Sequence, residues 1–274
     1  VGEFITLSFF YKHCMIHSME WIDEAIVLSA RPHGENACVV TLMTREQGRY
    51  AGLVAGGQGQ NAQALLQPGN RIKAKWRARL VEQLGHFTCE PITVTAAAWL
   101  DDPEVLAIIA SACAVTEASL PERQPMTGVY AALGALFSLP DADLWAPAYV
   151  KWEMGLLRAL GYGLDLSQCA ANGATDNLAY VSPRTGRAVS LEAGAPYHEK
   201  LFPLPAFLLG GGWTQDDIRI GLDLTAHFLR RHVFVNPQSR HLIAQAGDLP
   251  QARQRLAGFY EREDGGQLLE AITA

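Results

Sequence analysis

Arg71-Ile72-Lys73-Ala74-Lys75-Trp76-Arg77-Ala78-Arg79 places five cations at strict period two in nine positions. A β-strand sends successive side chains to opposite faces, so the stretch predicts a strand with one cationic face and one apolar face. Ile72, Ala74, Trp76 and Ala78 then form the core side, and Trp76 is read as core rather than as a stacking platform. Same-face neighbours on a strand stand roughly 7 Å apart, close to the phosphate spacing along one nucleic-acid strand. Like charges that near repel one another. Either a polyanion offsets them or acids on neighbouring strands do, and both readings stand at this point. Five phosphate contacts would give a log K against log salt slope of at most about −3.5 on single strands.

Working outward, β-like runs occupy 25–30, 38–43, 49–54, 71–82 and 87–97. Turn residues separate them at Pro32 and Gly34, Gln47-Gly48, Pro68-Gly69 and Gly85, so most connections suit antiparallel neighbours. Between the third and fourth runs, 61–66 has room for about one and a half helical turns. Five strands with a short helix after the third predict the small barrel called an OB-fold. Gly57-Gln58-Gly59-Gln60-Asn61-Ala62 matches a dinucleotide fingerprint, with Glu82 at the expected distance. The helix that follows is too short for a βαβ crossover, so this segment reads as a mobile loop.

The texture changes at Asp101-Asp102-Pro103-Glu104, where Asp at an N-cap and Pro at the first helical position announce a helix. Val105, Ile108, Ile109 and Ala112 recur at helical spacing, as do Val129, Leu133 and Leu136, then Val150, Met154 and Leu157 before Gly161. Thr214 and Asp217 form a capping box ahead of Ile218, Leu222, Thr225 and Leu229, and Asn236-Pro237 is read as opening another helix. At about 165–212 the pattern breaks, and 179–182 with 188–190 predict a small hairpin turning at Pro183-Arg184-Thr185-Gly186. The expected class is α+β. Residues 1–18 are read as an appended or upstream-read extension without a signal peptide, 19–98 as the barrel, and 99–274 as a helical domain with the embedded hairpin.

The chain has 274 residues, 49% of them hydrophobic and 18% charged, which excludes an intrinsically disordered protein. With 22 Lys and Arg against 28 Asp and Glu, the net charge of −6 repels phosphate at long range, so polyanion binding needs a local concentration of cations. Arg230-Arg231 and Arg253, Arg255 and Arg262 add basic character to the last helices, with solvated helix faces as the alternative. Five scattered cysteines suit a reducing compartment, and no apolar run reaches the ~18 residues of a membrane span. No phosphate loop, nucleophile elbow or zinc-protease motif is present, so neither catalytic residues nor cofactors are expected. Cys169 has no second cysteine within four residues and His198 as its one imidazole within thirty, too few donors for structural zinc. His227 and His232, five apart, point away from each other on an α-helix.

Residues 27–35 (VLSARPHGE), 42–48 (LMTREQG) and 66–69 (LQPG) resemble the RecO recombination mediators of bacteria. Order and spacing agree from Met19 to about residue 262, including 161–166 (GYGLDL) and 180–183 (YVSP). The resemblance implies an N-terminal OB-fold, a C-terminal helical domain, binding of single- and double-stranded DNA, and strand annealing. It also implies displacement of single-strand binding protein so that the recombinase RecA can load, with RecR and the acidic tail of the single-strand binding protein as partners. A cytoplasmic, nucleoid-associated protein is expected. The candidate DNA-binding residues are Arg71, Lys73, Lys75, Arg77 and Arg79, with Arg31 and Arg45 from the resembling stretches. Many relatives carry basic residues in the loop where this chain has Gln58, Gln60, Asn61 and Gln63, which shifts the load to the strand. Many relatives also carry a four-cysteine zinc module whose places here are Cys169, Asn172, Ser190 and Ala193. The hairpin is therefore read as a degenerate zinc ribbon held by packing alone. The alternative function is an interaction adaptor with little intrinsic DNA affinity.

Overall fold

The computed structural model describes residues 19–80, 82–235 and 247–261. The extension at 1–18, the helix start at Asn236-Pro237, and Arg262 lie outside the described residues. Five strands, β1 (Met19–His33), β2 (Ala37–Thr44), β3 (Arg49–Val54), β4 (Arg71–Ala78) and β5 (His86–Thr93), close into a barrel in the order β1-β2-β3-β5-β4. Helix α1 (Gln60–Leu65) follows β3, as an OB-fold requires. All ladders are antiparallel except the closing contact, where Leu53 on β3 meets His86 on β5 in parallel.

Strand boundaries depart most from the sequence pattern at three points. Strand β1 begins at Met19 rather than residue 25, because its largely exposed first third, where Glu20 and Asp23 interrupt the apolar residues, pairs with β4 ahead of the apolar run that marked it. Strand β4 ends at Ala78 rather than 82, and β5 at Thr93 rather than 97, where a short 3-10 turn (Ala96–Trp99) leads to the helices. The loop after β3 is tied down rather than free: Gln58 Nε2 donates to the carbonyls of Gly34 and Ala37, both at 3.0 Å.

An aromatic cluster fills the barrel. Trp76 stacks on Trp21 at 5.9 Å between ring centroids, with Tyr50 and Phe87 edge-on around them. Each such pair adds about 0.5–1.5 kcal/mol beyond area burial. Gly85 makes the closure possible. Its φ is +66°, and a Cβ there would lie 2.4 Å from the Trp76 indole, whose Nε1 donates to the Leu84 carbonyl at 3.0 Å.

Helices α2 (Pro103–Ser119), α3 (Thr127–Leu136), α4 (Trp145–Ala159), α6 (Gln215–Phe228) and α7 (Gln251–Gly258) make the second region, with four-residue α5 (Leu191–Gly194) beside the hairpin. Asp102 caps α2 through the Val105 amide, and Thr214 with Asp217 completes the capping box of α6. Ile26, Leu28 and Met43 leave the barrel to join Ile109, Ala112 and Cys113 in the helical core. Helix α2 thus covers the outer face of β1 and β2 at this end, leaving β4 and β5 to solvent.

Arg253 is not on a solvated face, as its place in a basic run suggested. It is 1% exposed and forms a two-pronged ion pair with Glu153, itself fully buried, at 2.7 and 3.1 Å. Tyr149 and Thr225 also donate to this carboxylate, and Arg253 donates to the Leu222 carbonyl at 2.8 Å. Burial opposes the Arg253 charge, but the Glu153 carboxylate outweighs it and the guanidinium pKa is raised. The last described helix packs on α2 and is pinned to α4 and α6 through Arg253.

The hairpin forms from β6 (Leu178–Val181) and β7 (Ala188–Ser190), and β8 (Phe202–Pro203) adds a third strand. Polar contacts as well as packing hold it, contrary to the expectation from the lost cysteines. Cys169, Asn172, Ser190 and Ala193 converge: the Cys169 thiol accepts from the Ser190 and Ala171 amides at 3.3 and 3.4 Å. The Ser190 hydroxyl accepts from Asn172 Nδ2 and the Ala193 amide at 3.5 and 3.4 Å. Ser190, through its side chain and then its amide, lowers the thiol pKa to about 7. Among the described residues no group of three or more His, Cys, Asp or Glu side chains is placed to hold a metal.

Candidate nucleic-acid interface

Strand β4 has the two faces its sequence dictates. Ile72, Ala74, Trp76 and Ala78 are buried, whereas Lys73, Lys75 and Arg77 are exposed and Arg71 partly so. Trp76, at 1% exposure, belongs to the core. Arg79 lies just past the strand end, exposed, its amide donating to Gln83 Oε1 at 3.3 Å.

Register then decides how much of this charge is available. On β1, Glu20, Ile22 and Glu24 stand opposite Arg77, Lys75 and Lys73, and on β5, His86, Thr88 and Glu90 stand opposite the same three. Four strand cations therefore share the face with three carboxylates, Glu20, Glu24 and Glu90. Two cations are engaged: Arg71 Nη2 lies 3.2 Å from Glu24, and Lys75 Nζ 3.3 Å from Glu20. Lys73 and Arg77 form no ion pair among the described residues, although Lys73 sits between Glu24 and Glu90. Cross-strand acids of this kind offset like-charge repulsion by roughly 0.2–1 kcal/mol per pair.

The least neutralised cations gather at the far end of β4. There Arg77 and Arg79 border a cleft of about 680 Å³ with Leu53, Gln83, Leu84 and His86. Arg123, in the segment after α2, donates to the Gln83 carbonyl at 3.0 Å and lies 4.8 Å from the Tyr50 ring centroid. Arg123 and His86 went unnoticed in the sequence because each is an isolated polar residue there. Only barrel closure and the return of the chain along β3, where Arg49 and Glu122 bridge in parallel, bring them to the strand end.

The two remaining candidates lie elsewhere and differ. Arg31 donates to Glu117 on α2 at 2.9 Å, and Ser29 and Thr41 donate to the same carboxylate oxygen. It latches the barrel to the helices. Arg45, at the β2–β3 turn, is exposed beside Glu46, and its amide donates to the Glu24 carbonyl at 2.9 Å. That bond places the turn next to the Arg71 end of the strand face.

Residues 19–94 match the family described as Recombination protein O N terminal, and residues 100–241 the one described as Recombination protein O C terminal. The seam falls where the barrel gives way to helices. The chain is 52% identical over 248 residues to the DNA repair protein RecO of Rhodospirillum centenum, covering 89% of this chain and 96% of that protein. It is 49% identical over 228 residues to that of Caulobacter vibrioides, covering 82% and 91%. It is also 46% identical over 253 residues to that of Rhodospirillum rubrum, covering 89% and 96%. Barrel, helices and sequence agree throughout, and the chain belongs to the RecO family of DNA repair proteins.

Proposed function

We propose that the protein acts without catalysis as a recombination mediator. It binds single- and double-stranded DNA, promotes annealing, and helps load a RecA-type recombinase onto strands covered by single-strand binding protein, with RecR as partner. The observation that carries this reading is the solvent-facing row of alternating cations on β4, running into the cleft at Arg77 and Arg79. Phosphates would follow Lys73, Arg77 and Arg79, since Arg71 and Lys75 are already paired. Such a protein would work in the bacterial cytoplasm, at the nucleoid.

The test is binding of labelled oligonucleotide, single- and double-stranded, across a salt series. Arg77→Gln with Arg79→Gln is expected to lower the single-strand salt slope by about 1.4, two contacts at about 0.7 each. An unchanged slope in the folded double variant sinks the strand assignment.

A second reading draws on Glu20, Glu24 and Glu90, which offset much of the face: an interaction adaptor with little DNA affinity. It expects no salt-dependent retention of DNA at all. In either case a partner seat is offered between α3 and α4, where Gly128, Val129, Ala132, Trp152 and Leu156 line an apolar groove of about 320 Å³ with Arg158 at its edge. An acidic tail ending in an aromatic residue fits that chemistry. Its peptide is expected to bind the full chain and to weaken with Arg158→Ala; equal binding by both rejects the seat.

A further inference from the structure

The cleft at the end of β4 is braced from outside the barrel as well as from within. The turn joining β4 to β5 is held from two sides by barrel strands: Trp76 Nε1 donates to the Leu84 carbonyl and the Leu53 amide to that of Gly85, both at 3.0 Å. A further bond, from Arg123 Nη2 to the Gln83 carbonyl at 3.0 Å, comes from the segment between α2 and α3. Gln83 passes that hold on. Its Oε1 accepts from the Arg79 and Leu80 amides, each at 3.3 Å, and its own amide donates to the Leu80 carbonyl at 3.2 Å. Arg79 therefore leaves the strand end in a direction that Gln83 sets.

Arg123 is itself fixed to a rigid base. Its φ is +59°, in the left-handed region that residues other than Gly, Asn and Asp seldom enter. The surroundings impose this conformation. The Arg123 amide donates to the Arg49 carbonyl at 2.7 Å, Arg49 Nε donates to the Leu120 carbonyl at 2.8 Å, and Arg49 Nη1 lies 3.4 Å from Glu122. Arg49 is 7% exposed, so the strap is anchored in the interior. It also runs close against the β2–β3 turn, where a Cβ at Gly48 would lie 2.0 Å from the Gln124 carbonyl oxygen. From this base the half-buried guanidinium reaches over the Tyr50 ring, 4.8 Å from its centroid, to Gln83.

We propose that Arg123 is a positioning residue for the cleft: acting through Gln83, it aims Arg79 at a bound phosphate without meeting the phosphate itself. The inference rests on the DNA-binding reading above and deepens it, because the segment between the helices then sets the geometry of a contact made by the barrel.

The test uses the full chain, fluorescein-labelled oligothymidylate and a salt series. Gln83→Ala removes no charge, and a neutral side chain displaces no counterions, so an effect on the salt slope has to pass through a cation. The variant is expected to lower the slope by about 0.7, the worth of one lost contact. Arg123→Asn should lower it equally, and Asn tolerates the left-handed backbone, so the strap keeps its path. The two changes together should lower it no further, and in an Arg79→Gln background neither should act. Melting of each variant is followed in parallel, since a merely structural role would shift the melting temperature and leave the slope alone. A further loss of about 0.7 from Arg123→Asn in the Arg79→Gln background would show that Arg123 meets phosphate directly, which overturns the proposal. A parental slope in folded Gln83→Ala overturns it too. Should Arg123→Asn not fold, Gln83→Ala decides alone, because that side chain is exposed. A parent without salt-dependent binding overturns the DNA reading and this inference with it.

Discussion

The barrel and the helical region treat cations in opposite ways. On β4 four cations stand in solvent, where neighbouring acids and water share the task of offsetting them. On α7 one cation, Arg253, is sealed in the core against a single buried carboxylate. An exposed pair is worth about 0–1 kcal/mol, because water competes for both partners. Breaking a buried pair leaves an uncompensated charge and costs about 3–5 kcal/mol. The cations that look alike in sequence therefore divide into those free to meet a ligand and those committed to the fold.

The largest expected effect comes from breaking the buried side. Arg253→Met should destabilise the protein by about 3–5 kcal/mol in urea unfolding, because among the described residues Glu153 then keeps Tyr149 and Thr225 as its donors. Adding Glu153→Met should recover a large part of that loss, since an apolar pair of similar volume removes the stranded charge. A double variant as unstable as the single one would show that packing of α7, rather than charge, sets the cost.

Next in size is a change that touches no charge. Gly85→Ala must adopt a positive φ and meets the Trp76 ring, so about 2–3 kcal/mol should be lost with all the strand cations in place. If the β4 face acts through its charges rather than through closure at Gly85, the folded fraction of this variant measured at low temperature should bind DNA as the parent does. A loss of salt slope together with stability would mean that closure at Gly85 also positions Arg77 and Arg79.

The hairpin comes third and introduces pH. Cys169→Ala removes the acceptor for two amides and should cost about 1–2 kcal/mol. The thiol pKa is about 7 in the fold against an ordinary value of 9.0. Between these values the unfolded chain binds more protons, so stability should rise from pH 7 to pH 9 and the gain should be lost as pH falls through 7. The slope should vanish in Cys169→Ala. A parent and variant with parallel pH dependence would place the thiol outside the polar cluster. With only 1% of Cys169 accessible, alkylation should still be slow in the native protein.

These contrasts also explain what could be read in the sequence. The β4 alternation was legible because period two is local, and the cap at Asp102 and box at Thr214 because each spans three or four residues. Glu24 and Glu90 on the cationic face were not, because register pairs Lys73 with residues 49 and 17 positions away along the chain. Arg253 read as surface charge because its partner Glu153 lies 100 residues distant, and nothing local marks a helix whose polar residue points inward. The four hairpin positions were placed by their resemblance to cysteine ligands. Their hydrogen bonds were invisible, since Asn, Ser and Ala carry no pattern that announces them.

The smallest expected effects separate Arg31 from Arg45, and so test the division between committed and free cations on the barrel itself. Arg31 is half exposed, and its partner Glu117 keeps donors from Ser29 and Thr41 when the guanidinium is gone. Arg31→Ala should therefore cost no more than about 1 kcal/mol, with the DNA salt slope unchanged, because the side chain faces α2 rather than the strand face. Among the described residues Arg45 pairs with its neighbour Glu46 at 3.4 Å, an exposed pair worth little. Its turn is bonded to Glu24 beside the Arg71 end of the face, so phosphates tracking β4 would reach it. Arg45→Ala should leave stability within about 0.5 kcal/mol and lower the single-strand slope by about 0.7. The reverse pattern, slope lost with Arg31 and kept with Arg45, would move the DNA path off β4 and onto the seam between barrel and helices.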